Sequence, residues 1–355
     1  MITQNALHHA EKCRFCWMCR HLCPVQLQTG KELNTPRAKG LLLSMVDKGA
    51  EVFDADAARA MYECVLCDAC TNDCATGYQP PLFIREARTE AVAAGVAPKE
   101  VEAAIDNILR TGNLYGVEKP SFGREGTDVL VYIGEVAAIQ VPEMAENFLK
   151  LLEKAGVSAK VLEKEPASGA MLGDLMGYTE EVRIQAAECA RAIHETGLPV
   201  VVLDSYDAEI MKQKYPEWGC GITAPVTTAT AYAADLLAQG KIGKKEPLGR
   251  KAACHDDDRL ARTFHEFAPI RALAQAAGFT LGEMFNRERL AKSCGSAVAM
   301  AYMPDITTRV AAGRWDDLAR TDCEAMIVAN PESYLCLSAA KPEGKDLVDL
   351  YGALL

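Results

Sequence analysis

Fourteen cysteines stand in this 355-residue chain, and eight of them fall in two runs of one spacing. The first run is Cys13, Cys16, Cys19 and Cys23, followed by Pro24. The second is Cys64, Cys67, Cys70 and Cys74, followed by Ala75. Both read C-x2-C-x2-C-x3-C. Three thiolates so spaced can wrap a tight loop around three corners of one cubane iron–sulfur cluster. The fourth lies too far along to close the same cube comfortably and reaches across to the other. The spacing therefore assigns Cys13, Cys16, Cys19 and Cys74 to one [4Fe-4S] cluster, and Cys64, Cys67, Cys70 and Cys23 to a second. The alternatives are weaker. A structural zinc site usually pairs two separated C-x2-C knuckles, and a disulfide framework belongs to an oxidising compartment.

The charges beside the two runs differ in sign. Lys12, Arg14, Arg20 and His21 flank the first, while Glu63, Asp68 and Asp73 flank the second. Cations favour the more negative, reduced form of a cluster, so the local pattern predicts the higher potential for the first. Trp17 and Met18 sit inside the first loop and are expected to shield the cluster from water. Neither a G-x-G-x-x-G nor a phosphate-loop motif occurs, so no nucleotide site of the chain's own is expected.

The elements that must position these thiols come in two textures. Between and after the runs the pattern is helical: Asp54 to Tyr62, residues 81–94, and Lys99 to about Arg110. From about Thr127 the chain alternates strands and helices. Asp128–Gly134, Lys160–Glu163 and Pro199–Asp204 read as strands, separated by helices over Pro142–Ala155 and Tyr178–Glu195, with a further helix over Asp207–Lys214. A weaker copy follows, with strands at Lys251–Cys254, Thr280–Met284 and Ala325–Asn330 and a helix at Pro269–Ala277. Such alternation implies largely parallel sheets, and the recurrence implies internal duplication. The expected fold class is α + α/β: an N-terminal α-helical ferredoxin domain over 1–112, then two repeated α/β domains over 120–245 and 246–355.

Composition narrows the partners. The net charge of −11 argues against nucleic acid and against an anionic membrane surface, both of which select clustered Lys and Arg. The first residues lack the basic and apolar regions of a secretory signal, and no window is apolar enough to span a bilayer. The expected location is cytoplasmic, peripheral to the inner face of the membrane through a partner.

Taken whole, the chain resembles the iron–sulfur subunits of FAD-linked glycolate and lactate oxidases, which are related to the anaerobic glycerol-3-phosphate dehydrogenase small subunit and to the D-type iron–sulfur subunit of heterodisulfide reductase. The likeness is carried by both cysteine runs and by the intervening segment from Thr35 to Gly40. In that family each C-terminal copy bears a cysteine-rich, CCG-type signature, and here it is largely lost. Glu135 stands at the first signature cysteine, Ala167-Ser168-Gly169 replaces Cys-Cys-Gly, and Asp204 and Asp207 fill the Cys-Pro-x-Cys positions. In the second copy Cys254-His255 and the single cysteine of Ser293-Cys294-Gly295 remain, while Asn330 and Ser333 flank a proline and a glutamate. The resemblance marks Cys254, His255 and Cys294 as a candidate residual metal or quinone site; the plainer reading is a relic of buried thiols and a hydrogen-bonded histidine. Cys189, Cys220, Cys323 and Cys336 are read as buried free thiols.

The resemblance implies an electron-transfer subunit with no substrate chemistry of its own. It would relay electrons between an FAD-binding partner acting on a 2-hydroxy acid and a quinone or other carrier. The alternative is a stand-alone heterodisulfide- or quinone-reductase-like enzyme that uses the C-terminal repeat.

Overall fold

Short helical segments, most of them opened by a capping residue or a proline, make up most of the first third of the chain. The computed structural model describes residues 2–355. It begins with α1 (Gln4–Glu11), α2 (Pro24–Thr29), α3 (Pro36–Asp47), α4 (Ala55–Tyr62), α5 (Ala69–Asn72), α6 (Pro80–Ala93) and α7 (Lys99–Thr111). Thr35 caps α3 by accepting from the Ala38 N–H, and Asp54 caps α4 by accepting from Asp56 and Ala57. Proline opens α2, α3 and α6, where its missing N–H costs nothing. Ala6, Ala10, Leu43, Met61, Phe83 and Ile84 join these helices in one core.

Two four-stranded sheets follow. The first holds β1 (Val129–Tyr132), β2 (Ala159–Lys160), β3 (Val200–Val202) and β4 (Val226–Thr228) in the order β2-β1-β3-β4. The second holds β5 (Lys251–Cys254), β6 (Thr280–Gly282), β7 (Ala325–Val328) and β8 (Asp346–Asp349) in the order β6-β5-β7-β8. Every strand pair is parallel. The inner strands β1, β3 and β7 are continuous buried apolar runs, as strands covered on both faces require. The two sheets share one strand order, so the recurrence in sequence has a counterpart in topology.

Four elements differ from the sequence reading. The edge strands β4 and β8 carry no apolar run to announce them; β8 reads Asp-Leu-Val-Asp and is half exposed. Strand β2 covers only Ala159–Lys160, because Val161 turns to pair with Arg124 in an antiparallel bridge. The helix over 207–214 is Ser205–Glu209 continued by a wider π turn, Ile210–Lys214. No helix among the described residues is long and apolar enough to cross a membrane.

Candidate iron–sulfur site

The two cysteine runs fold into loops of one shape. Phe15 and Trp17 have φ of 55° and 70°, and their counterparts Leu66 and Asp68 have 51° and 60°. A left-handed conformation at a residue with a side chain costs about 1–3 kcal/mol and persists where surroundings demand it. Here it curls each loop so that a backbone N–H faces a sulfur. The N–H of Phe15 donates to Cys13 Sγ and that of Leu66 to Cys64 Sγ, both at 3.4 Å. Cys23 stands at the N-cap of α2, and Cys74 follows α5 with its sulfur 3.3 Å from the Thr76 hydroxyl.

Two groups of thiols can be told apart by which sulfurs act on one another: Cys13, Cys16 and Cys74 on Cys19, and Cys67, Cys64 and Cys23 on Cys70. Burial pushes the Cys19 thiol up to about 11, reinforced by the sulfurs of Cys13, Cys16 and Cys74. Burial likewise lifts Cys70 well above its ordinary range, reinforced by Cys67, Cys64 and Cys23. Cys23, Cys64, Cys67 and Cys70 line a single hollow with Pro24, Val65 and Ile84. All 14 cysteines are free thiols. Among the described residues no three His, Cys, Asp or Glu side chains converge as one metal ion requires; the second four sulfurs stand instead around a space. That arrangement fits a cubane cluster, whose thiolates sit at separate corners. Burial raises Cys23 to about 12; a sulfur so placed ionises readily only beside a compensating cation, which iron supplies.

The surroundings of the two groups differ. Around the first, Cys16 is exposed, and Phe15, Trp17 and Met18 are 49%, 41% and 54% exposed. Trp17 is held by the Arg37 guanidinium stacked 3.8 Å from its ring centre. In the second group Cys67 is buried and Cys23, Cys64 and Cys70 are half-buried, and cations surround it. Arg88 donates to the Cys64 carbonyl at 2.6 Å and to the Asp174 carbonyl at 2.7 Å. Arg262 donates to the Cys67 carbonyl at 2.6 Å and pairs with Asp258 at 2.5 Å. Lys39 lines the hollow itself and donates to the Ala60 carbonyl. A cleft of about 590 Å³ reaches this loop at Cys67 and Asp68, between Arg85, Tyr178, Glu209 and Arg259. Arg88 and Arg262 carry no local signal in the sequence. Lys39 lies in the segment that carries the family resemblance, where only its position, not its role, is legible.

The positions that the resemblance marks lie near the C-terminal ends of the two sheets. The Ser168 hydroxyl donates to Asp207 at 2.5 Å, and Glu135 accepts from the Leu114 N–H at 2.9 Å. Asp257 accepts from Ser205, Asn330 and Ser333 at 2.7, 3.1 and 2.8 Å, tying the two sheets together. His255 and Cys294 are neighbours: Arg314 donates to His255 Nδ1 at 3.2 Å, and the sulfur of Cys336 followed by His255 pushes the Cys294 thiol down. Cys254 packs in a different core from Cys294, among the large cluster that includes Ala252 and Ala325. Of the three candidate residual-site residues, the structure thus brings two together and places Cys254 apart.

Residues 9–78 match the family described as a 4Fe-4S dicluster domain. Over 91% of the chain and 52% of the relative, it is 23% identical to the EtfAB:quinone oxidoreductase of Syntrophomonas wolfei. It is 24% identical to the probable iron-sulfur-binding oxidoreductase FadF of Bacillus subtilis, over 76% of the chain and 41% of that protein. One subunit of the dihydromethanophenazine:CoB--CoM heterodisulfide reductase of Methanosarcina barkeri is 22% identical over 76% of the chain and 70% of its own length. The chain spans about half the length of the first two of these relatives. The crystal structure of a hypothetical protein from Helicobacter pylori shares the fold, with a TM-score of 0.60 at 12% identity, covering 99% of this chain and 72% of that one. The chain thus carries a 4Fe-4S cluster domain within residues 9–78 and is similar to proteins named as oxidoreductases and their subunits.

Proposed function

We propose that the chain is an electron-transfer subunit holding two [4Fe-4S] clusters, one on Cys13, Cys16, Cys19 and Cys74 and one on Cys64, Cys67, Cys70 and Cys23. The observation that supports this reading is that Cys23, from the first run, lines one hollow with Cys64, Cys67 and Cys70 of the second, while Cys74 is among the sulfurs that act on Cys19. When bound, each cluster supplies a one-electron redox centre. The chain's own residues do the rest. Paired left-handed loops aim N–H groups at Cys13 and Cys64, and Arg88 and Arg262 fix the second loop by its carbonyls.

In this reading the helical region 1–112 is the cluster domain, and the α/β regions 120–245 and 246–355 are CCG-like copies that serve as scaffold and docking surface. Several signature positions are engaged in hydrogen bonds, Ser168 with Asp207, Glu135 with the Leu114 N–H, and Asn330 and Ser333 with Asp257, which favours a conduit over a reductase active site. The partner is an FAD-binding oxidoreductase subunit of 2-hydroxy acid type, and the acceptor a quinone or other carrier. The names of the similar proteins, a quinone oxidoreductase and a heterodisulfide reductase component among them, support a place in such a relay. Anaerobic purification of the native complex tests it. A stoichiometric flavoprotein is expected to accompany the chain, whereas quinone or disulfide turnover by the chain alone would overturn the conduit in favour of a stand-alone reductase.

A further inference from the structure

We propose that Lys39 sets the reduction potential of the second cluster selectively, as a buried positive charge beside Cys23 and Cys64; this rests on the two-cluster reading above. Lys39 is 1% exposed. An isolated buried ammonium is costly unless an anion compensates it, yet among the described residues no carboxylate forms an ion pair with Lys39. Its hydrogen bond goes to a neutral acceptor, the Ala60 carbonyl. The groups that offset its burial most strongly are the sulfurs of Cys64 and Cys23, and with them it lines the hollow. The anion this lysine is placed to meet is therefore the thiolate pair of a filled site.

Its position is fixed by the start of α3. Thr35 caps that helix, Pro36 opens it, and the Tyr78 hydroxyl donates to the Pro36 carbonyl at 2.7 Å. Reduction adds negative charge to a cluster, and an enclosed site penalises that charge. Lys39 opposes the penalty from within the site. Around the first group, Arg14, Arg20 and His21 are exposed, so water and salt screen them. The charges flanking the runs in sequence point to the first cluster as the electrostatically favoured one; they omit Lys39, which lies 16 residues beyond Cys23. Of the carboxylates about the second loop, Asp258 is paired with Arg262, and Glu63 acts on Lys39 less strongly than the sulfurs of Cys64 and Cys23 do.

The test is an EPR-monitored redox titration of the full chain, reconstituted anaerobically, as wild type, Lys39→Met and Lys39→Arg. Cys67→Ser and Cys16→Ser identify which signal belongs to which cluster. The expected result is a more negative midpoint for the Cys67-dependent signal alone in Lys39→Met, with Lys39→Arg near wild type. Unmoved midpoints, or equal shifts of both, at unchanged iron and sulfide content would overturn the role. If Lys39→Met loses the second cluster, Lys39→Arg decides: retained cluster and potential support a charge role, and loss in both variants refutes it. A wild-type chain without two clusters would instead refute the two-cluster reading on which the role rests.

Discussion

The Arg262 guanidinium reaches back across 195 residues to donate to the Cys67 carbonyl at 2.6 Å, while the same nitrogen pairs with Asp258 at 2.5 Å. Another nitrogen of Arg262 donates to the Arg289 carbonyl at 3.1 Å, and the Asp258 carboxylate also accepts from Ser293 at 2.5 Å. The second cysteine loop is thus held by the α/β part of the chain as well as by its own helices.

Removing Arg262 leaves Asp258 as a buried, unpaired carboxylate. Breaking such a pair from one side costs about 3–5 kcal/mol. Arg262→Ala is expected to lose that much in chemical denaturation and to release iron from the second cluster faster than from the first. The double variant Arg262→Ala/Asp258→Asn is expected to recover part of the loss, because no uncompensated charge remains. Equal costs for the single and double variants would remove the pairing from the explanation.

The crossing of the two runs makes a distinct forecast for the fourth cysteines. Cys23→Ser is expected to disturb the EPR signal of the cluster on Cys64, Cys67 and Cys70 and to spare the other. Cys74→Ser does the reverse. Disturbance of the cluster in the variant's own run would mean that the runs do not exchange ligands.

Much of this was legible in the sequence, for physical reasons. The cysteine spacing dictates loop shape locally, and the buried strands Val129–Tyr132 and Val200–Val202 announce themselves as apolar runs. Edge strands Val226–Thr228 and Asp346–Asp349 did not, since a strand covered on few sides needs little apolar sequence. The cations of the second group were invisible as a set. Lys39, Arg88 and Arg262 come from three distant segments, and only the packed chain shows that they converge on one hollow and its loop.

Glu135 makes stability depend on pH. Burial pushes its carboxyl up to about 7, against the pull of the Leu114 N–H and Lys119. Its folded pKa lies above the unfolded value of about 4.3, so the folded chain binds a proton that the unfolded chain has released. The contribution is fully present below about pH 4 and is lost as pH rises through about 7. Burial raises Asp204 and Asp207 in the same sense. Denaturation between about pH 5 and about pH 8 is expected to show stability falling with pH, by at most about 1.4 kcal/mol per pH unit for each group. Glu135→Gln is expected to flatten that slope. A slope unchanged in the variant would assign the dependence elsewhere.

Gly40 follows Lys39 at a point where α3 passes the Tyr78 ring so closely that an added Cβ would collide with the phenol oxygen. Gly40→Ala is expected to cost about 1–3 kcal/mol through overpacking. Adding Tyr78→Phe removes the colliding atom, at the loss of the hydroxyl's bond to Pro36. The double variant is therefore expected to be more stable than Gly40→Ala plus Tyr78→Phe would be by addition, as measured by a denaturation cycle.

The most direct test of the central claim is iron and acid-labile sulfide analysis of the anaerobic chain, combined with EPR after dithionite reduction. Two clusters on eight cysteines predict about eight irons and eight sulfides per chain and two magnetically interacting [4Fe-4S] signals. About four irons with one isolated signal, or zinc in place of iron, would contradict the account.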